Sequence, residues 1–277
     1  MRTHILLPTD FSDNAWSAAV YALKLYAEKE CTFHFIHSTK MKVSSMSNFS
    51  NRLLKVMSEN ALKELEELKD MAENSSANAN HDFNSILSSS DLEFAIESAI
   101  RKYKANLVVM GTKGATKAKE IFFGSNTVHV IKKIKDCPLL IVPDEFDFTK
   151  PKDIAFPTDF NRFFGEELVP LKHLAELHNS KIRIVHINEE ENLTEIQNYN
   201  LAMLKANLED HPHSFHWMPE YEKKSIEIND FIIELNINIL AMINYERSFI
   251  ESILNEPVIK KIGFHPNVPF LVIPCSN

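Results

Sequence analysis

The stretch Ile5-Leu6-Leu7-Pro8-Thr9-Asp10-Phe11-Ser12 returns 149 positions later as Ile154-Ala155-Phe156-Pro157-Thr158-Asp159-Phe160-Asn161. Both copies begin with an apolar run that is too short for a helix, which predicts a buried β-strand. Other segments match in the same order, and the run Val130-Ile131-Lys132-Lys133-Ile134 recurs unchanged from Val258 to Ile262. These matches predict a tandem duplication, with one domain over residues 1–145 and a second over residues 152–277.

Apolar strands and amphipathic helices are predicted to alternate within each copy. In the first copy, residues 32–38 are predicted as the second strand. Residues 107–110 and 138–142 are strands without polar alternation, so helices are expected to cover both of their faces. A helix is predicted to begin at Ser12 or Asp13, and another near Ser125. The fold class that follows is α/β, with two tandem open, mostly parallel five-stranded sheets and helices on both faces.

Composition excludes several classes of protein. The chain has 277 residues, a formal net charge of −8 and a pI near 5.9, which argues against a dedicated nucleic-acid binder. No apolar run approaches the ~18 residues of a membrane span, and Pro8 and Asp10 interrupt the first apolar run too early for a signal peptide. Three widely spaced cysteines fit a reduced, cytoplasmic setting.

Glycine placement is the most informative feature. The chain holds only five glycines, and Gly111, Gly114 and Gly124 fall within fourteen positions after the fourth predicted strand. Glycines used so sparingly are expected where φ is positive or where the backbone closely approaches another group. Ligands bind beyond the carboxyl ends of such strands. A glycine turn followed by a helix N-terminus offers backbone N–H groups to an anion, with the Ser125 and Thr127 hydroxyls nearby.

These residues resemble the universal stress protein family, whose nucleotide-binding members carry Gly-x2-Gly-x9-Gly-(Ser/Thr) after the fourth strand and an aspartate after the first. The resemblance implies a fold similar to that family and to the adenine nucleotide alpha hydrolases, with ATP as cofactor, with or without Mg²⁺. It also implies a set of nucleotide-binding residues: Pro8, Thr9, Asp10 and Ser38 at the base and ribose end, and Met110, Gly111, Lys113, Gly114, Gly124, Ser125, Asn126 and Thr127 around ribose and phosphates.

The second copy departs from this pattern. Fifteen residues lie between Met242 and Val258, against nineteen between Met110 and Val130, and none of the fifteen is a glycine. We therefore predict that the second domain does not bind nucleotide in the same way.

Three residue groups have competing interpretations. Asp10 either binds ligand or braces the turn, because Asp159 persists in the copy that lost its loop. His37 and His186, present in both copies, favour a packed or hydrogen-bonded role over a catalytic one. The cluster His211, His213 and His216 favours a solvated strand end over a metal site, since Pro212 interrupts it and no carboxylate or cysteine joins it.

Three functions remain open at this point. The leading hypothesis is a stress-response regulatory or protective protein that binds ATP in its first domain and performs no chemistry beyond slow hydrolysis. The alternatives are an interaction module with a vestigial site and an adenylylating enzyme of related fold. The resemblance also implies an intramolecular pseudo-dimer of the two domains, and association of two chains into a homodimer is a further expectation.

Overall fold

Alternating strands and helices run through the chain, as seen in a computed structural model that describes residues 2–39, 51–75, 78–112, 123–188, 192–218, 224–245 and 267–275. The chain divides into two units, residues 1–147 and residues 148–277. The described residues contain five strands in each unit, as the duplication predicts.

The first unit alternates strand and helix from its start. Its elements are β1 (Thr3–Pro8), α1 (Asp13–Leu25), β2 (Cys31–Ser38), α2 (Asn51–Ser75), β3 (His81–Ser88), α3 (Leu92–Tyr103), β4 (Leu107–Gly111), α4 (Ser125–Lys133) and β5 (Leu139–Val142). Helix α1 is capped by Ser12, whose hydroxyl oxygen accepts a hydrogen bond from the Ala15 N–H at 3.3 Å. Of the two predicted starts for this helix, Ser12 is therefore the cap.

The second unit follows the same order with one insertion. Its elements are β6 (Asp153–Pro157), a 3-10 turn (Glu166–Leu168), α5 (Val169–His178), β7 (Lys181–Ile187), α6 (Glu195–Asn207), β8 (His213–Met218), α7 (Lys224–Glu234), β9 (Ile239–Asn244) and β10 (Phe270–Pro274). The segment between β6 and α5 is longer than its counterpart between β1 and α1. This difference becomes important at the carboxyl edge of the sheet.

Within each unit, the described strands pair in parallel. In the first unit β1 pairs with β2 and β4, β2 with β3, and β4 with β5, which gives the order β3-β2-β1-β4-β5. The second unit repeats this as β8-β7-β6-β9-β10. The predicted α/β class with open parallel sheets is confirmed.

Both faces of the central strands are covered. Ile5, Leu6 and Leu7 are consecutive and all buried, and so are Ile154, Ala155 and Phe156. Because successive strand residues point to opposite faces, burial of every residue requires packing on both sides. Helix α1 packs on β1, β4 and β5, while α3 packs on β1 and β2.

The structure bears on the sequence observations about membrane spans and cysteines. No helix among the described residues is long and apolar enough to cross a membrane. The three cysteines, Cys31, Cys137 and Cys275, are free and buried.

A polar triad crosses three strands of each sheet at equivalent positions. In the first unit, His4 Nδ1 lies 3.0 Å from His34 Nε2, and His34 Nδ1 lies 3.4 Å from the Asn84 amide. In the second unit, Asp153 and Arg183 occupy the same register and form an ion pair at 2.6 Å, and Arg183 donates to Ser214 at 3.3 Å. The same row of positions thus holds two histidines and an amide in one unit and an ion pair with a serine in the other.

Burial lowers the pKa of His34 to about 4, with a further contribution from His4 and Lys102, so this fully buried ring is neutral in the folded protein. The Asn84 amide donates to Nδ1, so Nε2 carries the proton and donates to His4. The Tyr103 ring packs against His34 with 4.3 Å between ring centroids.

We predict that the first unit loses stability in acid because of His34. The unfolded chain binds a proton at this histidine near its ordinary pKa of 6.5, whereas the folded chain binds it only near 4. Above pH 6.5 the neutral His34 therefore does not reduce the free energy of unfolding. As the pH drops from 6.5 towards 4, the free energy of unfolding falls by at most about 1.4 kcal/mol per pH unit. The measurement is urea unfolding at pH 7 and pH 5, followed by Trp16 fluorescence in a Trp217→Phe protein.

His34→Gln cannot titrate, so its loss of stability between the two pH values should be smaller than that of the parent. The matched control is His129→Gln, which replaces an exposed histidine of the same unit that lies 3.6 Å from Glu93. Because exposed ion pairs contribute little, its loss of stability between the two pH values should differ from that of the parent by less than the loss in His34→Gln does. Equal losses in the parent and in His34→Gln would contradict the assignment.

Candidate functional site

The carboxyl ends of β1, β2 and β4 bring most of the predicted site residues to one edge of the first sheet. Pro8 ends β1, Ser38 ends β2, and Met110 and Gly111 end β4. The register pairs Leu6 with Val108, and two residues further along it puts Pro8 level with Met110. Neighbouring parallel strands therefore place these residues side by side, as the sequence predicts.

The turn after β1 is held by its own side chains. Thr9 Oγ1 accepts a hydrogen bond from the Phe11 N–H at 3.0 Å. Asp10 Oδ1 accepts from the Ser12 N–H at 3.2 Å and from the Ser12 hydroxyl at 2.5 Å. Phe11 has φ 63°, a left-handed conformation that costs a non-glycine residue roughly 1–2 kcal/mol. The turn is thus a strained conformation that these hydrogen bonds stabilise.

A histidine of the neighbouring strand fastens this turn to the sheet. His37 on β2 donates from Nδ1 to the Thr9 carbonyl oxygen at 2.8 Å. Its ring packs against the Phe11 ring with 4.4 Å between centroids. These contacts give His37 the packed, hydrogen-bonded role that its presence in both copies favours.

The second unit builds the same turn. Thr158 Oγ1 accepts from Phe160 N–H at 3.1 Å, and Asp159 Oδ1 accepts from Asn161 N–H at 2.9 Å. Phe160 has φ 55°, and His186 donates to the Thr158 carbonyl at 2.8 Å. Because the unit without the glycine loop keeps every contact, the contacts of Asp10 described here serve the turn. A ligand role for Asp10 stays a prediction beside this structural one.

Gly111 lies against a side chain of α1. A Cβ atom at this position would sit 1.9 Å from Asn14 Oδ1 and 2.6 Å from Asn14 Cγ. The Asn14 amide is buried and donates from Nδ2 to Asp144 Oδ1, just after β5, at 3.0 Å. Gly111 is therefore one of the close approaches for which glycine is needed. Sequence reasoning missed Asn14 and Asp144, since 130 positions separate the two partners.

The start of α4 presents backbone N–H groups at the same edge. Gly124 is its N-cap and supplies no side-chain cap, so the N–H groups of Ser125, Asn126 and Thr127 have no partner inside the helix. We call these three N–H groups the amide cradle. The Ser125 and Asn126 side chains are exposed beside it. Uncapped N–H groups and the positive end of the helix dipole suit an anion.

Two hydrogen bonds fix the amide cradle to the end of β4. The Gly124 N–H donates to the Thr112 carbonyl at 2.6 Å, and Thr127 Oγ1 donates to the Gly111 carbonyl at 3.1 Å. The buried Thr127 hydroxyl also lies 3.3 Å from the Thr112 carbonyl. The Thr127 hydroxyl proton is thus used in a hydrogen bond inside the fold. Phosphate binding by Thr127 stays a prediction, and it would use the backbone N–H group.

The remaining predicted residues are Ser38, Lys113, Gly114 and Gly124. Ser38 lies at the edge as expected, and its hydroxyl donates to the Ser90 carbonyl at 2.5 Å. Lys113 and Gly114 lie outside the described residues, so their predicted contacts stay predictions. Gly124 has φ −59°, a conformation that any residue adopts, so positive φ does not explain this glycine.

Aromatic side chains fill the corresponding edge of the second unit. Tyr245, which follows β9, donates from its hydroxyl to Asp159 Oδ1 at 3.4 Å, and its ring lies 6.0 Å from that of Phe164. The Arg162 guanidinium lies 5.6 Å above the same ring. Burial, together with the neighbouring Asp159 carboxylate, raises the pKa of Tyr245 to about 12, so its hydroxyl remains a donor at neutral pH.

Helix α6 fastens the longer segment after β6. Its amide side chains donate to three backbone carbonyls of that segment: Gln197 to Asp159 at 2.8 Å, Asn200 to Phe160 at 2.8 Å and Asn207 to Phe164 at 3.3 Å. Phe160 and Phe164 are buried beneath them. In the described part of the second unit, the protein's own side chains therefore lie at this edge.

The three clustered histidines do not converge on a metal. His211 lies before β8 and contacts Glu176 at 3.0 Å, while His213 contacts the His211 carbonyl and His216 contacts Ser214. Within the described part of the chain, no group of three histidine, cysteine or acidic residues could hold a metal ion. The His211 side chain is only 13% exposed and all three rings are hydrogen-bonded, so the cluster is less solvated than the strand end preferred from the sequence.

We predict that Tyr245 is a packing residue of the second unit. Tyr245→Ala should lower its free energy of unfolding by about 2 kcal/mol, because the Phe164 and Arg162 contacts are lost, whereas Tyr245→Phe should cost less than about 1 kcal/mol. The measurement is urea unfolding by Trp217 fluorescence in a Trp16→Phe protein. The control is Tyr199→Ala, at a position 63% exposed, which should change stability by less than about 0.5 kcal/mol. Equal effects at Tyr245 and Tyr199 would refute the packing role.

The chain is similar in sequence and in fold to several known proteins. The family model described as "Universal stress protein family" matches residues 1–143. Universal stress protein MJ0531 of Methanocaldococcus jannaschii is 30% identical over 142 residues, which cover 50% of this chain and 80% of that protein. A universal stress protein structure from Archaeoglobus fulgidus aligns with a TM-score of 0.73 at 20% identity, covering 99% of this chain and 98% of that one. A putative universal stress protein from Pseudomonas aeruginosa aligns with a TM-score of 0.59 at 12% identity, covering 98% and 92%.

Proposed function

The chain belongs to the universal stress protein family, and from that premise we propose that its first unit binds an adenine nucleotide, ATP, in a regulatory or protective role in the stress response. The observation that carries the proposal is the amide cradle at the start of α4. It stands at the edge where parallel strands of this fold class bind ligands. The glycine, serine and threonine spacing around it is the one that the nucleotide-binding members carry.

Electrostatics supports phosphate as the group that occupies the cradle. Three backbone N–H groups point along the helix axis at its positive end, and no acidic residue lies in the first turn of α4. The exposed Ser125 hydroxyl and Asn126 amide add donors beside them. Lys113 in the preceding loop would add positive charge. A group of donors with no carboxylate in the first turn of the helix suits a polyphosphate better than a cation.

The base and ribose would lie across the ends of β1 and β2. Pro8, Thr9 and Ser38 end or follow these strands, and Met110 is level with Pro8 on β4. The turn fastened by His37 presents backbone groups at a fixed position. A rigid edge of this kind reduces the entropy that binding must remove. We therefore propose that the base is recognised through backbone groups at this edge.

The second unit is proposed to have no equivalent ligand. Tyr245, Phe164 and Arg162 occupy its edge, and the sequence after β9 lacks glycine as far as residue 262. We propose a binding role for the first unit, with slow hydrolysis at most. Mg²⁺ would arrive with the nucleotide, bound by phosphate oxygens and water. Pairing of the two repeats, association of two chains and a cytoplasmic location stay predictions from the sequence.

We predict that Gly124→Asp separates stability from binding. Because φ is −59° at this position, aspartate fits, and as an N-cap it accepts from the same N–H groups that phosphate would use. The variant without ligand should gain a few tenths to about 1 kcal/mol of stability. Its affinity for Mg-ATP should fall by roughly tenfold or more, since its carboxylate occupies the cradle and repels phosphate. Calorimetric titration measures the affinity, and thermal unfolding without ligand measures the stability.

Gly124→Asn is the matched control, because it caps the helix without a charge and should lose less affinity than Gly124→Asp. Hydrogen exchange of the parent with and without Mg-ATP locates the site. Protection is expected at residues 123–133 and 8–12, and not at residues 239–245. No protection anywhere in a nucleotide-free parent at saturating ATP would overturn the proposal, and would favour an interaction module with a vestigial site.

A further inference from the structure

Asn14 links the start of α1 to the ends of β4 and β5. We propose that Asn14 is a positioning residue for the amide cradle, an inference that rests on the function proposed above. The inference is that Gly111 is a glycine because Asn14 occupies the space of its side chain. Asn14 in turn holds the end of β4, to which the cradle is hydrogen-bonded. Asn14 is not among the residues that the glycine motif marks for contact with nucleotide.

The first step is the contact between Asn14 and Gly111. The direction in which a side chain would leave Gly111 meets the Asn14 carboxamide at 1.9 Å and the Asn14 carbonyl oxygen at 3.1 Å. This direction therefore points at α1, and a nucleotide cannot occupy it. The group that excludes a side chain at position 111 is Asn14. A methyl group there would have to displace the buried carboxamide or the end of β4.

The second step is the orientation of the carboxamide. Asn14 Nδ2 donates to Asp144 Oδ1 at 3.0 Å, so the Asn14 oxygen is turned towards Gly111. Asn14 is 6% exposed, and rotation of a buried amide that bonds a carboxylate is costly. Asp144 thus orients Asn14, and the helix N-terminus that carries Asn14 is tied to the strand end after β5.

The third step connects Gly111 to the cradle. The Gly111 carbonyl accepts a hydrogen bond from Thr127 Oγ1 at 3.1 Å, and Thr127 supplies one of the three cradle N–H groups. The next carbonyl, that of Thr112, accepts from Gly124 N–H at 2.6 Å. A shift of the Gly111 backbone, caused by its contact with Asn14, would therefore also shift the first turn of α4. The connected series is Asp144, Asn14, Gly111 and Thr127.

The second unit changes the whole set together. By position after the last two strands, Ile243 takes the place of Gly111 and Cys275 that of Asp144. Because the segment after β6 is longer, the counterpart of Asn14 is identified by its place in the helix: Glu167 is the second residue of the 3-10 turn that precedes α5, as Asn14 is the second residue of α1. Cys275 donates to Glu167 Oε1 at 3.3 Å, so a thiol and a carboxylate stand where the first unit has a carboxylate and a carboxamide. The unit with a side chain at the glycine position is the unit without the carboxamide.

The test is a double-mutant cycle on the Mg-ATP affinity of the full-length protein. Gly111→Ala should bind roughly tenfold more weakly than the parent. Asn14→Ala combined with Gly111→Ala should bind within about threefold of Asn14→Ala alone, because the methyl group then enters the space that the carboxamide left. Gly165→Ala, where a Cβ would meet only a 3.4 Å contact with Phe163, is the matched control in the other unit and should leave affinity unchanged. If Gly111→Ala weakens binding by the same factor with Asn14 and without it, the inference is wrong although the proposed function stands.

Two further measurements keep the test decisive. If Gly111→Ala fails to fold, the Mg-ATP affinities of Asp144→Ala and Asp144→Asn are compared. A few-fold loss of affinity in Asp144→Ala with none in Asp144→Asn supports the inference, and equal affinities overturn it.

If the parent binds no nucleotide, the proposed function fails, and the inference is then tested by hydrogen exchange at residues 125–128 without ligand. Faster exchange in Gly111→Ala that the added Asn14→Ala reverses supports positioning of the cradle. Unchanged exchange in both overturns it.

Discussion

Parallel hydrogen bonding of one central strand on both sides is the constraint on which the rest of each unit depends. β1 lies between β2 and β4, and β6 lies between β7 and β9. Because both faces of these strands are buried, backbone polar groups of the central strand are accessible to a ligand only at the strand ends. At the carboxyl end, the turn after the first strand, the end of the fourth strand and a helix N-terminus lie next to one another. Every contact of the candidate site follows from this arrangement.

The turn after the central strand shows how firmly this edge is built. Phe11 and Phe160 both adopt left-handed backbone conformations, which are unfavourable for phenylalanine. A threonine hydroxyl, an aspartate carboxylate and a histidine from the next strand bond to each turn in the same way. Strain that is kept in both units, with and without the glycine loop, belongs to the architecture. The difference in ligand binding that we propose must therefore arise beside this turn.

That difference lies in what occupies the edge. In the first unit Gly111 lies against the buried Asn14 carboxamide, and α4 begins at a glycine N-cap beside the exposed Ser125 and Asn126. In the second, Tyr245 and Phe164 fill the edge, and α6 donates three amide hydrogen bonds to the segment beneath them. Glu167 in this segment is partly buried, but hydrogen bonds from Gly165 and Cys275 and the nearby Arg162 hold the pKa of its carboxyl below the ordinary value. Among the described residues, the edge of the second unit is thus held by side-chain packing, which agrees with the absence of nucleotide binding that we propose for it.

The sequence by itself determined the duplication, the α/β class, the strands and most helix starts, and the motif that marks the edge. Those features are local or repeated: an apolar run, a cap such as Ser12, a glycine spacing. Tertiary structure alone decided that Gly111 accommodates Asn14, that Asp144 orients Asn14, and that the Thr127 hydroxyl is spent on the Gly111 carbonyl. It also decided that Tyr245 reaches Asp159, 86 positions away. The physical reason is that steric exclusion and hydrogen-bond direction depend on which strand ends lie side by side, and that adjacency is absent from the linear order of residues.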